Sequence, residues 1–328
     1  ITSGIAALPR NSGKLLSRTV GFAYLSTITA GTLAYLVASV VVPMLTSATQ
    51  GGAPADAEHL TAYITMDIPP AISVMTALAL AFVFGLGIAA TQAPQLKQLS
   101  DQGRDVIQLM LEKVIIPLLP LYIAGEFAQM AAAGTVFGTL KTFGIVLLLA
   151  VAMHWCWIIT LYTIAGIKAG KSPFALIKNM LPAYFTALGT MSSAATIPVS
   201  LQATKNNGIK FDVANFTVPL CATIHLSGST ITIVTCAMAV VTMQNGLEMP
   251  SLLTILPFIF MLGVVMLAAP GVPGGAVMSA VGLLGSMLGF GEAAIALMIA
   301  LYMAQDSFGT ACNVTGDGAI AVLVDKAD

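Results

Sequence analysis

Asp306 and Asp317 are the only charged residues between Glu292 and Asp325, in an otherwise apolar stretch. A carboxylate in such surroundings is costly, so it normally faces a cavity, an ion or a cationic partner. No basic residue lies near either in sequence. Cations from solution are therefore the natural partners, an ammonium group for one and a metal ion for the other. The plain alternative is a pair of packing carboxylates bonded to hydroxyls. Between them Gly309, Thr310, Asn313 and Gly316 recur at i, i+3 and i+4 spacings, which gives one small, polar helical stripe. Such a stripe also suits close helix packing in membranes, and the two carboxylates tilt the reading towards a site.

Two further segments carry polar or helix-breaking residues inside apolar sequence. One reads Thr190-Met191-Ser192-Ser193-Ala194-Ala195-Thr196-Ile197-Pro198, the other Pro270-Gly271-Val272-Pro273-Gly274-Gly275. The second cannot remain helical. At such breaks the half-helix ends offer free backbone groups. N-terminal N–H groups favour anions and exposed carbonyls favour Na⁺. Ser192, Ser193 and Val272 are thus candidates to contact a carboxylate, largely through backbone. His225 lies in a third polar interruption, His225-Leu226-Ser227-Gly228-Ser229. A lone intramembrane histidine is more often a packing residue, but its titration near neutrality makes it a candidate proton site. His154 sits in an aromatic, belt-like cluster, Met153-His154-Trp155-Cys156-Trp157, and His59 in an acidic loop.

What must position these residues follows from composition. Of 328 residues, 57% are hydrophobic and 8% charged, with a mean hydropathy of +0.93. Soluble domains carry roughly 25% charged residues, so part of this chain's solvent is lipid. The formal net charge of −1 excludes the clustered basic footprint of a nucleic-acid binder. Cys156, Cys221, Cys236 and Cys312 lie in apolar runs without metal spacing and read as small core residues. No Walker loop, nucleophile–base motif or zinc-type His/Glu pair is present, so the sequence offers no enzyme machinery.

Only helices and closed barrels satisfy their backbone in lipid, and the apolar runs here are too long for strands. Helical spans are expected around Phe22 to Leu45, Pro70 to Gln92, Val106 to Ala132 and Thr142 to Ile167. Arg10, Lys14, Arg18, Lys97, Arg104, Lys168, Lys171 and Lys178 mark cytoplasmic loops, and the acidic Ser47 to Asp67 connection lies outside. Ser172 to Asn207 is then flanked by basic residues on both sides, so it must enter and turn back. A kinked single span is the alternative. A long helix, Asp212 to Gln244, follows. Pro250 to Gly291, flanked by Glu248 and Glu292, reads as a second hairpin entering from outside, before a last helix from Ala293 to Val324. The C-terminal half thus repeats a unit of broken hairpin plus interrupted helix in opposite orientations. Inverted repeats with breaks at the midplane are the layout of secondary transporters.

At these residues the sequence resembles the dicarboxylate/amino acid:cation symporter family, the glutamate-transporter homologues. Ser192 to Pro198 resembles the serine-rich first hairpin tip, and Thr217 to Ser229 the interrupted seventh helix. Gly271-Val272-Pro273-Gly274 resembles the second tip, and Asp306 to Asp317 the last helix. The resemblance implies an all-α membrane protein, a multi-span bundle with two re-entrant hairpins in inverted repeats that works as an elevator-type homotrimer. Residues 1–168 would be mainly scaffold, with the family's N-terminal helices absent, and 169–328 the transport domain. It further implies that Asp306 holds the substrate ammonium, while Thr310, Asn313, Ser193 and Ser229 contact its carboxylate or side chain. Asp317, with backbone oxygens near Cys221, His225 and Asn313, would bind Na⁺.

The departures bear on substrate and ion. Acid-selective members carry an Arg where this chain has Gly309, and a related Arg stands at Met191. Without either, a side-chain carboxylate would be buried unpaired, at a cost of several kcal/mol. The expected substrate is therefore a small neutral amino acid, and the Ser-Ser-Ala-Ala tip and Gln305-Asp306-Ser307 are most similar to the serine/threonine branch, which implies a bacterial plasma membrane. A dicarboxylate or acidic amino-acid carrier, with or without an anion conductance, is the alternative. The family's Asn-Met-Asp-Gly reads His225-Leu226-Ser227-Gly228 here. The lost Asp removes one sodium ligand, and the His opens the way to H⁺ coupling.

Overall fold

The computed structural model describes residues 13–47, 72–132, 134, 136–244, 246–266, 269 and 273–327, and these form helices without a strand. His59, the acidic connection and Val272 lie outside the described residues. The first helix, α1, is Gly13–Ser47. Val74–Thr91 (α2) starts from Ser73, whose hydroxyl accepts the Thr76 N–H at 3.2 Å, a cap that satisfies an orphan donor of the first turn. Pro94–Met110 (α3) passes through a π turn, Leu111–Ile115, into Ile116–Ala132 (α4), and α5 is Val136–Ala169. The third expected span is thus the apolar end of a longer helix whose first part carries Lys97, Asp101, Arg104 and Asp105.

The C-terminal half is a series of short helices. Pro173–Thr190 (α6) and Ser193–Asn206 (α7) form the first hairpin. They pack on one another, and their open ends are tied where Asn179 donates to the Asn207 side chain at 2.8 Å and Asn207 donates to the Leu176 carbonyl at 3.2 Å. The chain therefore returns to the end it left, as the basic flanks require. Phe211–Ile224 (α8) and Ser227–Met243 (α9) follow, split at His225 and Leu226. Leu252–Val265 (α10) and Gly275–Leu288 (α11) pack as a second hairpin.

Glu292–Met303 (α12) and Asp306–Ala327 (α13) replace the expected continuous last helix. They meet at a 61° bend. The final turn of α12 tightens, with Gln305 N–H on the Tyr302 carbonyl at 2.9 Å, and Asp306 then opens α13. An acidic residue in a first turn complements the partial positive charge of the helix N-terminus. By length and composition, Gly13–Leu45, Val136–Ala169 and Phe211–Met243 can each cross a membrane, and the bent pair is a fourth candidate. The chain is an integral membrane protein.

The packing does not follow residue 168 as a boundary between two groups of helices. α13 lies at the centre, against α1, α5, α6, α7, α8 and α9, and α1 runs chiefly along α9. Gly31 permits that approach, since a Cβ there would lie 2.7 Å from Thr230 Cγ2 and 2.9 Å from Ile259 Cγ2. Helices α2 to α4 stand apart, touching the rest through α5, α11 and α12. They turn apolar side chains such as Val83, Leu86, Val106 and Leu121 outward, a large apolar surface of the kind covered by lipid or a partner. So α1 and α5 join the C-terminal body because their small and hydroxyl residues fit α9 and α13.

Candidate functional site

Three chain breaks converge around α13. At the first hairpin tip Met191 ends α6 in the left-handed region, φ 50°. The Ser192 hydroxyl accepts the Ala195 N–H at 3.2 Å and so caps α7, while Ser193 is buried beside it. At the second tip Gly274 caps α11 with φ 75°. A Cβ there would also lie 2.8 Å from the Met303 sulfur, so both backbone and space require glycine. The Gly274 N–H donates to Asp306 Oδ2 at 2.7 Å, and the Tyr302 hydroxyl donates to Asp306 Oδ1 at 2.9 Å. One carboxylate thus links the second hairpin, the end of α12 and the start of α13.

The third break exposes the N-terminus of α9. Asn313 closes it: its Oδ1 accepts from Gly228 N at 2.7 Å and Ser229 N at 3.2 Å, and its Nδ2 donates to Ser229 Oγ at 2.9 Å. Orphan N–H groups of a buried helix end need such partners. Between the breaks lies a small cavity that is partly open to solvent. Five of the residues singled out from the sequence, Asp306, Thr310, Asn313, Ser193 and Ser229, line it. Met191, the position of an Arg in acid-selective relatives, lines it as well, as do Tyr302, Thr223 and Leu226, and sequence reasoning gave none of these last three a place in a site. Tyr302 stands four residues before Asp306, a spacing that would have flagged it on an unbroken helix. Asp306 is the charged residue of this lining, without a Lys or Arg among the described lining residues. The arrangement can hold an ammonium on one carboxylate, with hydroxyls and small apolar side chains around the remainder of a ligand.

Of the expected substrate residues, Ser192 and Gly309 fall elsewhere, and the expected sodium residues Asp317, His225 and Cys221 lie outside the lining. Ser192 is engaged as a helix cap, outside the cavity lining. Gly309 faces α9, where a Cβ would lie 3.1 Å from Thr232 Oγ1 and 3.5 Å from the Ser229 nitrogen. It is a close-approach residue, because the opposing Gly228 likewise has no room for a Cβ against α13. Asp317 stands apart from the cavity. It is 1% exposed, with Oδ1 2.9 Å from His225 Nδ1, and His225 Nε2 lies 2.8 Å from Ser26 Oγ of α1. The Cys221 carbonyl accepts the His225 N–H at 2.8 Å.

His154 is not in an interfacial belt. It is buried, with Nε2 3.1 Å from the Gly228 carbonyl and 3.0 Å from Thr232 Oγ1. Of the cysteines, Cys221, Cys236 and Cys312 are buried as expected, whereas Cys156 is exposed.

The sequence model described as "Sodium:dicarboxylate symporter family" matches residues 1–327. Over 269 residues the chain is 28% identical to excitatory amino acid transporter 1 of Bos taurus and of Mus musculus, an alignment covering 79% of this chain and 48% of each relative. The counterpart in Ambystoma tigrinum is 29% identical over the same share. The chain spans about half the length of the curated relatives it matches.

Proposed function

Because the chain belongs to the sodium:dicarboxylate symporter family, whose members are symporters and not enzymes, we propose that it carries the substrate site of a secondary active symporter for a small neutral amino acid of the serine or threonine kind. The observation that supports this reading is the cavity lining. Asp306 is suited to the substrate ammonium, and Ser193, Ser229, Thr310 and Asn313 surround the space beyond it. A second carboxylate on the substrate would be buried there without a cationic partner, at several kcal/mol. Met191 and Gly309, the two positions where a cation is expected in acid-selective relatives, supply a thioether and no side chain. This favours a neutral substrate over the dicarboxylate of the family's description. The excitatory amino acid transporter name of the relatives accords with an amino-acid substrate.

The family description implies sodium coupling. A cation is best accommodated by carbonyl ends at the chain breaks. Within the membrane, the two hairpins are re-entrant elements that open from opposite sides. The first is anchored at the end where Asp325 accepts the Lys210 N–H at 3.2 Å. The second is anchored at the end where Tyr35 donates to the Pro250 carbonyl at 2.7 Å. The body around α13 is the moving part, α2 to α4 are the frame, and the outward apolar face of the frame is the trimer contact. A bacterial plasma membrane is the proposed location.

Uptake of labelled serine and aspartate into proteoliposomes, with sodium and proton gradients imposed separately, tests the reading. Sodium-driven serine uptake without aspartate uptake is expected. Aspartate uptake would overturn the neutral-substrate assignment, and uptake driven by protons alone would overturn the sodium coupling.

A further inference from the structure

Asp317 bonds His225, and the His225 ring is itself held from two further elements. His225 reaches it from the break between α8 and α9, and Ser26 of α1 holds the far side of the ring. The ring edge is packed on α13 itself, since a Cβ at Gly316 would lie 2.6 Å from His225 Cε1. Nδ1 faces the Asp317 carboxylate and Nε2 the Ser26 hydroxyl, so both ring nitrogens are engaged. Several oxygens around Asp317 already have partners. Sodium is a hard cation that takes oxygen ligands, whereas imidazole suits transition metals. Here the Cys221 carbonyl accepts the His225 N–H, the Thr315 carbonyl accepts the Tyr162 hydroxyl at 2.8 Å, and the Asn313 amide oxygen caps α9. Among the described residues, no group of three or more His, Cys, Asp or Glu is arranged to hold a metal.

We propose that His225 is a built-in occupant of the cation position at Asp317, so that this aspartate contributes no ion to the transport cycle. The inference rests on the reading of the chain as a cation-coupled symporter, and it departs from the sodium role expected for Asp317, His225, Cys221 and Asn313. The coupling cation is held elsewhere, at positions that do not use the Asp317 carboxylate. His225 is thereby a residue that sets ion usage by filling a site.

The test is sodium binding, read independently of transport. Thermal unfolding of the purified full chain is titrated with NaCl, with choline chloride holding ionic strength constant. Wild type, Asp317→Asn, His225→Asn and the double variant are compared. Sodium stabilisation of wild type is expected to keep its midpoint within twofold in Asp317→Asn. His225→Asn should add a sodium-dependent stabilisation that the double variant lacks. His225→Gln, which fills more of the ring's space, is run beside it in case the smaller side chain impairs folding. Loss of the wild-type sodium response in Asp317→Asn, or no added response in either His225 variant, overturns the proposal. Absence of serine uptake under every gradient would instead sink the symporter reading, and it leaves the binding comparison intact.

Discussion

Asp306 and Asp317 stand on one helix, eleven positions and so about 16 Å apart along its axis, and both are buried, 4% and 1% exposed. Their partners differ in kind. Asp306 is held by a backbone N–H from a hairpin tip and by a tyrosine hydroxyl, both neutral donors, beside open space. Asp317 is held by an imidazole that belongs to the protein. A carboxylate with neutral donors still lacks a counter-charge and recruits one from a ligand. One sealed by an imidazole that is itself held by α1 and packed on α13 has no open space beside it for a ligand. Burial of a charge therefore marks a position as special without saying whether it is vacant for a ligand, and the donor's identity decides that.

The largest effect that would break this contrast is at Asp306. Asp306→Asn keeps the shape but removes the charge facing the cavity. Losing one partner of a buried ion pair costs about 3–5 kcal/mol, which is a loss of at least about 100-fold in affinity. Equilibrium binding of labelled serine should show that loss while size-exclusion elution is unchanged. Normal binding would mean that Asp306 is a packing carboxylate. A second variant asks whether the cavity can be given a cation. Gly309→Arg should not confer aspartate transport by itself, because its side chain starts against Thr232. Overpacking of this kind costs about 1–3 kcal/mol. Thermal unfolding should show that loss, partly recovered by adding Thr232→Ala. If Gly309→Arg is as stable as wild type and imports aspartate, the helix contact is not what keeps that position free.

Much of this was legible in advance. The polar tips, the Pro and Gly break and the paired aspartates located the hairpins and α13, and the four motifs identified the family that the whole-chain match bears out. The break before Asp306 was not legible, because Leu301 to Gln305 contains no Pro or Gly. Its local sign was Gln305-Asp306-Ser307, polar residues of the type that open a helix. The His225–Asp317 pair, 92 residues apart, has no local signature. The small stripe was readable as a stripe but not as to side: Thr310 and Asn313 reach the cavity, while Gly309 and Gly316 meet α9 and the His225 ring. Placing α1 beside α9 likewise needs Gly31 and Ser26 in three dimensions.

The finest distinction lies at Tyr302. It is fully buried and donates to the Asp306 oxygen not used by Gly274. This makes it a positioning residue, one that fixes which lone pairs of the carboxylate remain for an ammonium. Tyr302→Phe removes one hydrogen bond and keeps the ring, so the net cost is about 1 kcal/mol, or roughly fivefold in serine KM. Because the hydroxyl acts through Asp306, the change should appear in KM with kcat nearly unaltered. The sodium concentration for half-maximal stabilisation without amino acid should stay the same. A merely structural role for the ring would lower thermal stability and shift both kinetic constants together. Equal changes in KM and sodium midpoint would mean that Tyr302 serves the sodium position as well as Asp306, and its assignment as a residue that acts only through the substrate carboxylate would have to be abandoned.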